Sequence, residues 1–322
     1  MGIAGKSGNR NKKSQAAGTA LIITLWVTAI LSMLAFSTAY FSRTDLKMAH
    51  YQAEHLKAYA LARGGIEIGI AKLLIDSRES PYYDAYNEDW SIGEAYLEEL
   101  GVEPEKLQLV INDESSKINL NMDNFYNLFS FLQFLPGWSG YEEITGLLDS
   151  FKDWRDEDSF EELNGAEDPY YLSLDNPYPC KDGKLDIPEE ILLVKGMSPE
   201  LFSYDYFTVF GGEKVNINTA PKEILYAILK GENVSGAEVL AEMIIASRRG
   251  EDGKEGTDDD QPFISLNEPL IPTEIQKLLK FSSSHFKISA TARLSNLPVR
   301  KKIEVILDRN HTPVKILYWH ES

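Results

Sequence analysis

The densest chemistry in this sequence is acidic. Between Asp149 and Glu190, fourteen carboxylates stand against four basic residues. Asp153, Asp156 and Asp158 fall within six residues, and Glu167 and Asp168 follow after a loop. Such a cluster offers hard oxygen donors, the set that suits calcium or magnesium rather than zinc. Close carboxylates repel one another, and a bound dication would offset that in a folded loop. The pattern is not an EF-hand, because the third position counted from Asp153 is Arg155 and the sixth is Asp158 rather than glycine. Spacing alone leaves a second reading open, a solvated acidic loop in which Arg155 pairs locally. A further acidic run, "EDGKEGTDDDQ" (Glu251–Gln261), is rich in glycine, lacks apolar residues and reads as a mobile loop.

Catalytic signatures are missing. The five histidines are His50, His55, His285, His311 and His320, and no G-x-S-x-G, P-loop or H-E-x-x-H string occurs. A two-carboxylate hydrolase is the one catalytic reading the cluster leaves open, and the chain is read as not an enzyme. Cys180 is the only cysteine, so no disulfide forms within the chain. The net charge is −18, and residues 1–18 hold +4 through Lys6, Arg10, Lys12 and Lys13, which leaves −22 for the remainder. A body so acidic repels nucleic-acid phosphates.

The acids need a scaffold. "KLQLVINDESSKINLN" (Lys106–Asn121) predicts two short strands around an Asp-Glu-Ser-Ser turn. "HFKISATAR", "VRKKIEVILDR" and "VKILYW" predict three more near the C-terminus. Asn296-Leu297-Pro298 and Asn310-His311-Thr312-Pro313 supply the turns between them. Strands at both ends with helical segments between them imply one sheet split by an insertion, placed at 122–282. Within it "KINLN" (Lys117–Asn121) is echoed by "KVNINTAPKEIL" (Lys214–Leu225), each an Asn-containing strand leading into a helix.

Ahead of these lies an apolar stretch. From Ala16 to Ser42 there are 27 residues without a charge. A bilayer core needs about 20 helical residues, whereas a removable signal core has only about 7–15. The basic flank predicts an N-terminus in the cytoplasm and the rest of the chain outside. Helical spacing then continues, with Leu46, Ala49, Ala53, Leu56 and Ala60 as one apolar stripe. The stripe resumes after Gly64-Gly65 as Ile66, Ile70 and Leu73, so the glycine pair predicts a bend or an offset.

A basic leader, a glycine and an apolar stretch that runs into a long amphipathic helix resemble the type IV pilin-like proteins. The resemblance implies that a prepilin peptidase cuts between Gly18 and Thr19 and that the new amine is methylated. Ile23 then occupies the fifth mature position, where most members carry glutamate. Within the family that absence resembles the K-type minor pseudopilins of type II secretion, as do "INLN" (Ile118–Asn121), "DWRDED" (Asp153–Asp158), "GAEDPYY" (Gly165–Tyr171), "ILLVKGMSPELF" (Ile191–Phe202) and "VNINTAPKEIL" (Val215–Leu225), in the same order.

The implied fold is α+β: a pilin-like long transmembrane helix plus an antiparallel sheet, with a large SAM-like helical insertion. Its expected parts are a leader at 1–18, the membrane half of the helix at 19–42, an amphipathic helix and first strands at 43–121, the insertion at 122–282 and closing strands at 283–322. The resemblance also implies calcium in the insertion, with Asp156, Asp158, Glu167 and Asp168 contributing. It implies a subunit that caps the tip of the secretion pseudopilus, in the bacterial inner membrane by a single pass with its bulk in the periplasm. Its partners would be I- and J-type minor pseudopilins, the major pseudopilin, prepilin peptidase and the inner-membrane secretion platform, with no nucleic acid. The alternative is a membrane-anchored helix-hairpin-helix protein for DNA binding or uptake. It lacks the expected Lys/Arg footprint, and Gly196 is followed by Met197-Ser198 where such hairpins need a small residue.

Overall fold

The computed structural model describes residues 8–91, 97, 101–103, 105–122, 125–134, 141–202, 206–294 and 299–322. The first seven leader residues and the expected turn at Asn296-Leu297-Pro298 lie outside them. A helix, α1 (Gly8–Glu79), runs for 72 residues. Its large apolar side chains between Leu21 and Leu56, among them Trp26, Phe36 and Leu46, are exposed. The helix is long and apolar enough to cross a membrane.

Burial against the protein begins at Glu54, and the buried apolar side chains follow at Ala58, Ala62, Ile66 and Leu73. The expected stripe of Leu46, Ala49, Ala53, Leu56 and Ala60 lies on the helix and faces outward. Their spacing is helical, but the apolar face that the chain's own sheet covers runs through Ala58, Ala62 and Ile66 instead. The helix is continuous through Gly64-Gly65, and the glycine requirement is one of approach. A Cβ on Gly65 would lie 3.0 Å from the Ala290 Cβ, and one on Gly69 would lie 2.9 Å from the Ile288 Cγ2. Glycines one turn apart let the helix backbone rest directly on the strands.

The remaining elements, in order, are β1 (Leu107–Asp113), β2 (Ile118–Asn119), α2 (Phe125–Phe134), α3 (Tyr141–Arg155), α4 (Asp168–Tyr171), α5 (Pro199–Phe202), β3 (Phe207–Thr208), β4 (Val215–Asn216), α6 (Lys222–Gly231), α7 (Ala237–Arg248), β5 (Leu279–Lys280), β6 (His285–Leu294), β7 (Val299–Asp308) and β8 (Lys315–Glu321). β1, β6, β7 and β8 form one antiparallel sheet in that order. On β1 the buried Leu107, Leu109 and Ile111 alternate with Gln108 and Val110, the pattern of a strand with one face covered. The covering element is α1.

The two expected strands form on either side of the Asp-Glu-Ser-Ser turn, but they do not pair with each other. Glu114–Ser116 form a short 3-10 turn, with the Ser115 amide donating to the Asp113 Oδ1. The chain then leaves the sheet, and Ile118-Asn119 pairs in parallel with Phe207-Thr208. From Ile118 to Leu279 the buried apolar residues form a separate core, distinct from the one that α1 shares with β1, β6 and β7.

The echo in the sequence is an echo in space. β2 and β4 each pair in parallel with a later two-residue strand, β3 and β5. Asn119 and Asn216 both accept, at Oδ1, the amide two residues on, from Asn121 and Asn218. Asn121 then closes a two-way bond with the Leu185 backbone, and Asn218 does the same with Phe263. Each asparagine pair satisfies buried backbone that a two-residue strand cannot.

Candidate metal centre

The C-terminal end of α3 supplies the first acids. Asp153 is fully buried, and its carboxylate accepts the Glu162 amide at 3.1 Å and the Ala166 amide at 2.7 Å. It acts as the hub around which the loop 156–166 is wound. Gly165 lies against it so closely that a Cβ would stand 1.8 Å from the Asp153 Oδ2. Lys195 holds the loop from the other side, its Nζ donating to the Gly165 carbonyl at 2.7 Å. The strings "DWRDED", "GAEDPYY" and "ILLVKGMSPELF" therefore meet at one place. Arg155 reaches the carbonyls of Asn121 and Met122 at the mouth of the insertion.

Around this hub, Asp156, Asp158 and Glu167 each place one carboxylate oxygen within 4.8 Å of the others, and Glu167, Cys180 and Asp182 form a second such group. Glu167 belongs to both. The Asp156 Oδ1 and the Glu167 Oε1 are buried without a hydrogen-bond partner. Buried carboxylate oxygens are rarely left so. Burial, followed by repulsion from Asp153, Asp182 and Asp156, pushes the Glu167 carboxyl up to about 7. Burial and then Asp158 and Asp153 push Asp156 up as well. The Cys180 thiol is pushed up to about 12, chiefly by burial, so it remains a thiol and leaves the site to oxygen. Two orphaned oxygens, uncompensated negative charge and hard donors fit a bound dication.

Of the four carboxylates expected to contribute, the structure brings together Asp156, Asp158 and Glu167. The Asp168 Oδ1 accepts the Cys180 amide at 2.8 Å, which braces the segment that carries Asp182. Asp182 is the residue that sequence reasoning missed. Its φ of +49° marks a tight turn with Gly183, and the Asp-Gly pair was the available signal. The run Glu251–Gln261, expected to be mobile, is folded on itself. The Asp259 Oδ2 accepts the amides of Glu251 and Asp252, and Glu255 pairs with the buried Arg248.

A long apolar helix packed on an antiparallel sheet that is interrupted by a helical insertion defines a pilin-like α+β protein. Residues 107–204 match the family model described as type II secretion system (T2SS), protein K. The chain is 26% identical over 219 residues to the type II secretion system protein K of Klebsiella pneumoniae, a match spanning 63% of this chain and 66% of that one. It is similar in structure, with a TM-score of 0.64 at 15% identity, to a chain in the crystal structure of the GspK-GspI-GspJ complex from the enterotoxigenic Escherichia coli type 2 secretion system. That likeness covers 85% of this chain and 99% of the other. Over residues 107–204, then, the chain is similar to the type II secretion system protein K family.

Proposed function

We propose that this chain is a minor pseudopilin that caps the tip of the type II secretion pseudopilus and helps to start its assembly, as a structural subunit rather than an enzyme. The observation that carries this reading is the division of α1. Its second half is buried on the sheet, while its first half offers exposed apolar side chains from Leu21 to Leu56. Such a surface needs lipid on one stretch and other helices on the next. The outward stripe of Leu46, Ala49, Ala53, Leu56 and Ala60 provides the second. I- and J-type minor pseudopilins are its natural neighbours, since the structurally similar chain is solved in a GspK-GspI-GspJ complex, and the major pseudopilin and the inner-membrane platform follow below. The bulk of the insertion, 118–279, blocks addition of a further subunit above.

In this reading prepilin peptidase cuts between Gly18 and Thr19, and the amine of Thr19 is methylated. The leader is cytoplasmic and the body periplasmic, as the basic flank dictates. Exposed, uncharged Ile23 suits a subunit with no neighbour above whose amine would need a carboxylate. Calcium occupies the acidic centre through Asp156, Asp158 and Glu167 and ties the insertion loop down. Mass spectrometry of the membrane-extracted protein should find a mature N-terminus at methylated Thr19, and Gly18→Ala should leave the precursor at full length and fail to restore secretion. Processing of that variant to the mature size would overturn the cut site.

A further inference from the structure

A second acidic group lies where α1 ends. Asp76, Asp84 and Glu88 are each more than nine-tenths buried, and one oxygen from each lies within 4.8 Å of the others. Arg309 clamps one side, donating to the Asp76 Oδ2 at 3.0 Å and to both oxygens of Asp84. The Ser283 amide also donates to Asp84, at 2.6 Å. The Glu88 Oε2 is occupied by the Ala85 amide and the Trp90 indole N–H, at 2.9 and 3.1 Å. The Glu88 Oε1 is buried and has no hydrogen-bond partner among the described residues.

We propose that Asp76, Asp84 and Glu88 form a separate site for a hard divalent cation of the calcium class, seated at the seam between the long helix and the two cores. When all three carboxyls are ionised, as a bound dication would require, one guanidinium leaves two negative charges for the ion to offset. The next shell does not change that balance, because Asp113 is offset by the half-buried Lys280. Among the described residues the candidate ligands here are all carboxylate oxygens, which favours calcium over zinc. Without an ion, burial and then repulsion from Glu88 and Asp84 push Asp76 up to about 8, and burial pushes Asp84 up to about 6 against the pull of Arg309. The Arg309 guanidinium is fixed over the Phe286 ring, 4.8 Å from its centroid, which keeps it on its own side of the group. This site does not depend on the insertion loop's being a calcium site.

The test uses the full chain in detergent with Asp156→Asn and Glu167→Gln together, which silences the loop. Equilibrium dialysis should show a single calcium still bound per chain, and adding Glu88→Gln should abolish it. Glutamine keeps an acceptor for Ala85 and Trp90, and cooperative unfolding in EDTA checks the fold, with Asp76→Asn standing in if Glu88→Gln does not fold. Terbium gives a reading that needs no change at the site. Trp90 is bonded to Glu88, so the silenced chain should luminesce on tryptophan excitation and dim when calcium is added. Absent luminescence, absent residual calcium, or binding indifferent to both Glu88→Gln and Asp76→Asn would each overturn the proposal.

Discussion

The two acidic groups are alike in composition and opposite in construction. Each gathers three carboxylate oxygens within 4.8 Å, and each leaves a buried oxygen without a partner. The loop group comes from one stretch, 156–182, and its members Asp158 and Asp182 are exposed. The seam group joins the end of α1 and the turn after it to Arg309, more than 220 residues away, and all of it is buried. A cluster wound from one loop has no strong cation of its own and must recruit charge from solvent. A cluster assembled from distant segments includes a guanidinium and serves first as a joint.

The largest effect should therefore come from the joint. Arg309→Met removes the cation from two buried carboxylates and should cost about 3–5 kcal/mol, read as a shift in the urea midpoint. The loss should be cooperative, because Asp84 also holds the Ser283 amide and the Phe281 carbonyl in place. A loss below about 1 kcal/mol would mean that the seam carboxylates are neutral when folded, and the contrast between joint and loop would disappear.

Next comes the hub of the loop group. Gly165→Ala sets a methyl against the buried Asp153 carboxylate, which cannot retreat without releasing the Glu162 and Ala166 amides. The expected loss is about 1–3 kcal/mol, together with loss of any calcium response, since Glu167 lies two residues on. A normal calcium response in this variant would show that the ion is held independently of the hub.

The same contrast explains what the sequence could show. The loop group was visible because its members are close neighbours in the chain, and eight carboxylates in the sixteen positions 153–168 are a local signal. Asp182 escaped because it arrives from a turn after α4, and only its glycine neighbour hinted at it. The seam group was invisible, since nothing near Asp76, Asp84 or Glu88 announces Arg309. The C-terminal strands could be read from alternation, as on β1. The outward stripe on α1 could be seen but not assigned a direction, because helical spacing records a face and not what covers it. The asparagine echo could be noticed as a string, whereas its meaning, two parallel pairs closed by matched side-chain bonds, needed coordinates.

The effect of removing one carboxylate charge is the sharpest test of the loop group, because it carries a pH signature. In the folded chain without an ion, Glu167 holds its proton up to about 7, while its ordinary value is 4.5. The folded state thus binds more protons than the unfolded state between those values. Stability is fully present below 4.5 and falls as pH rises toward 7, by at most about 1.4 kcal/mol per pH unit for a single group. A dication replaces that proton, so calcium should raise Tm little at pH 5 and fully at pH 8, where a free concentration of a hundred times Kd gives about 2.7 kcal/mol. Glu167→Gln should flatten the slope in EDTA and remove most of the calcium shift. The seam has its own guanidinium and should keep its contribution through the same variant. A calcium shift of equal size at pH 5 and pH 8 would mean that Glu167 does not exchange its proton for the ion, and that the orphaned oxygens of the loop are satisfied in another way.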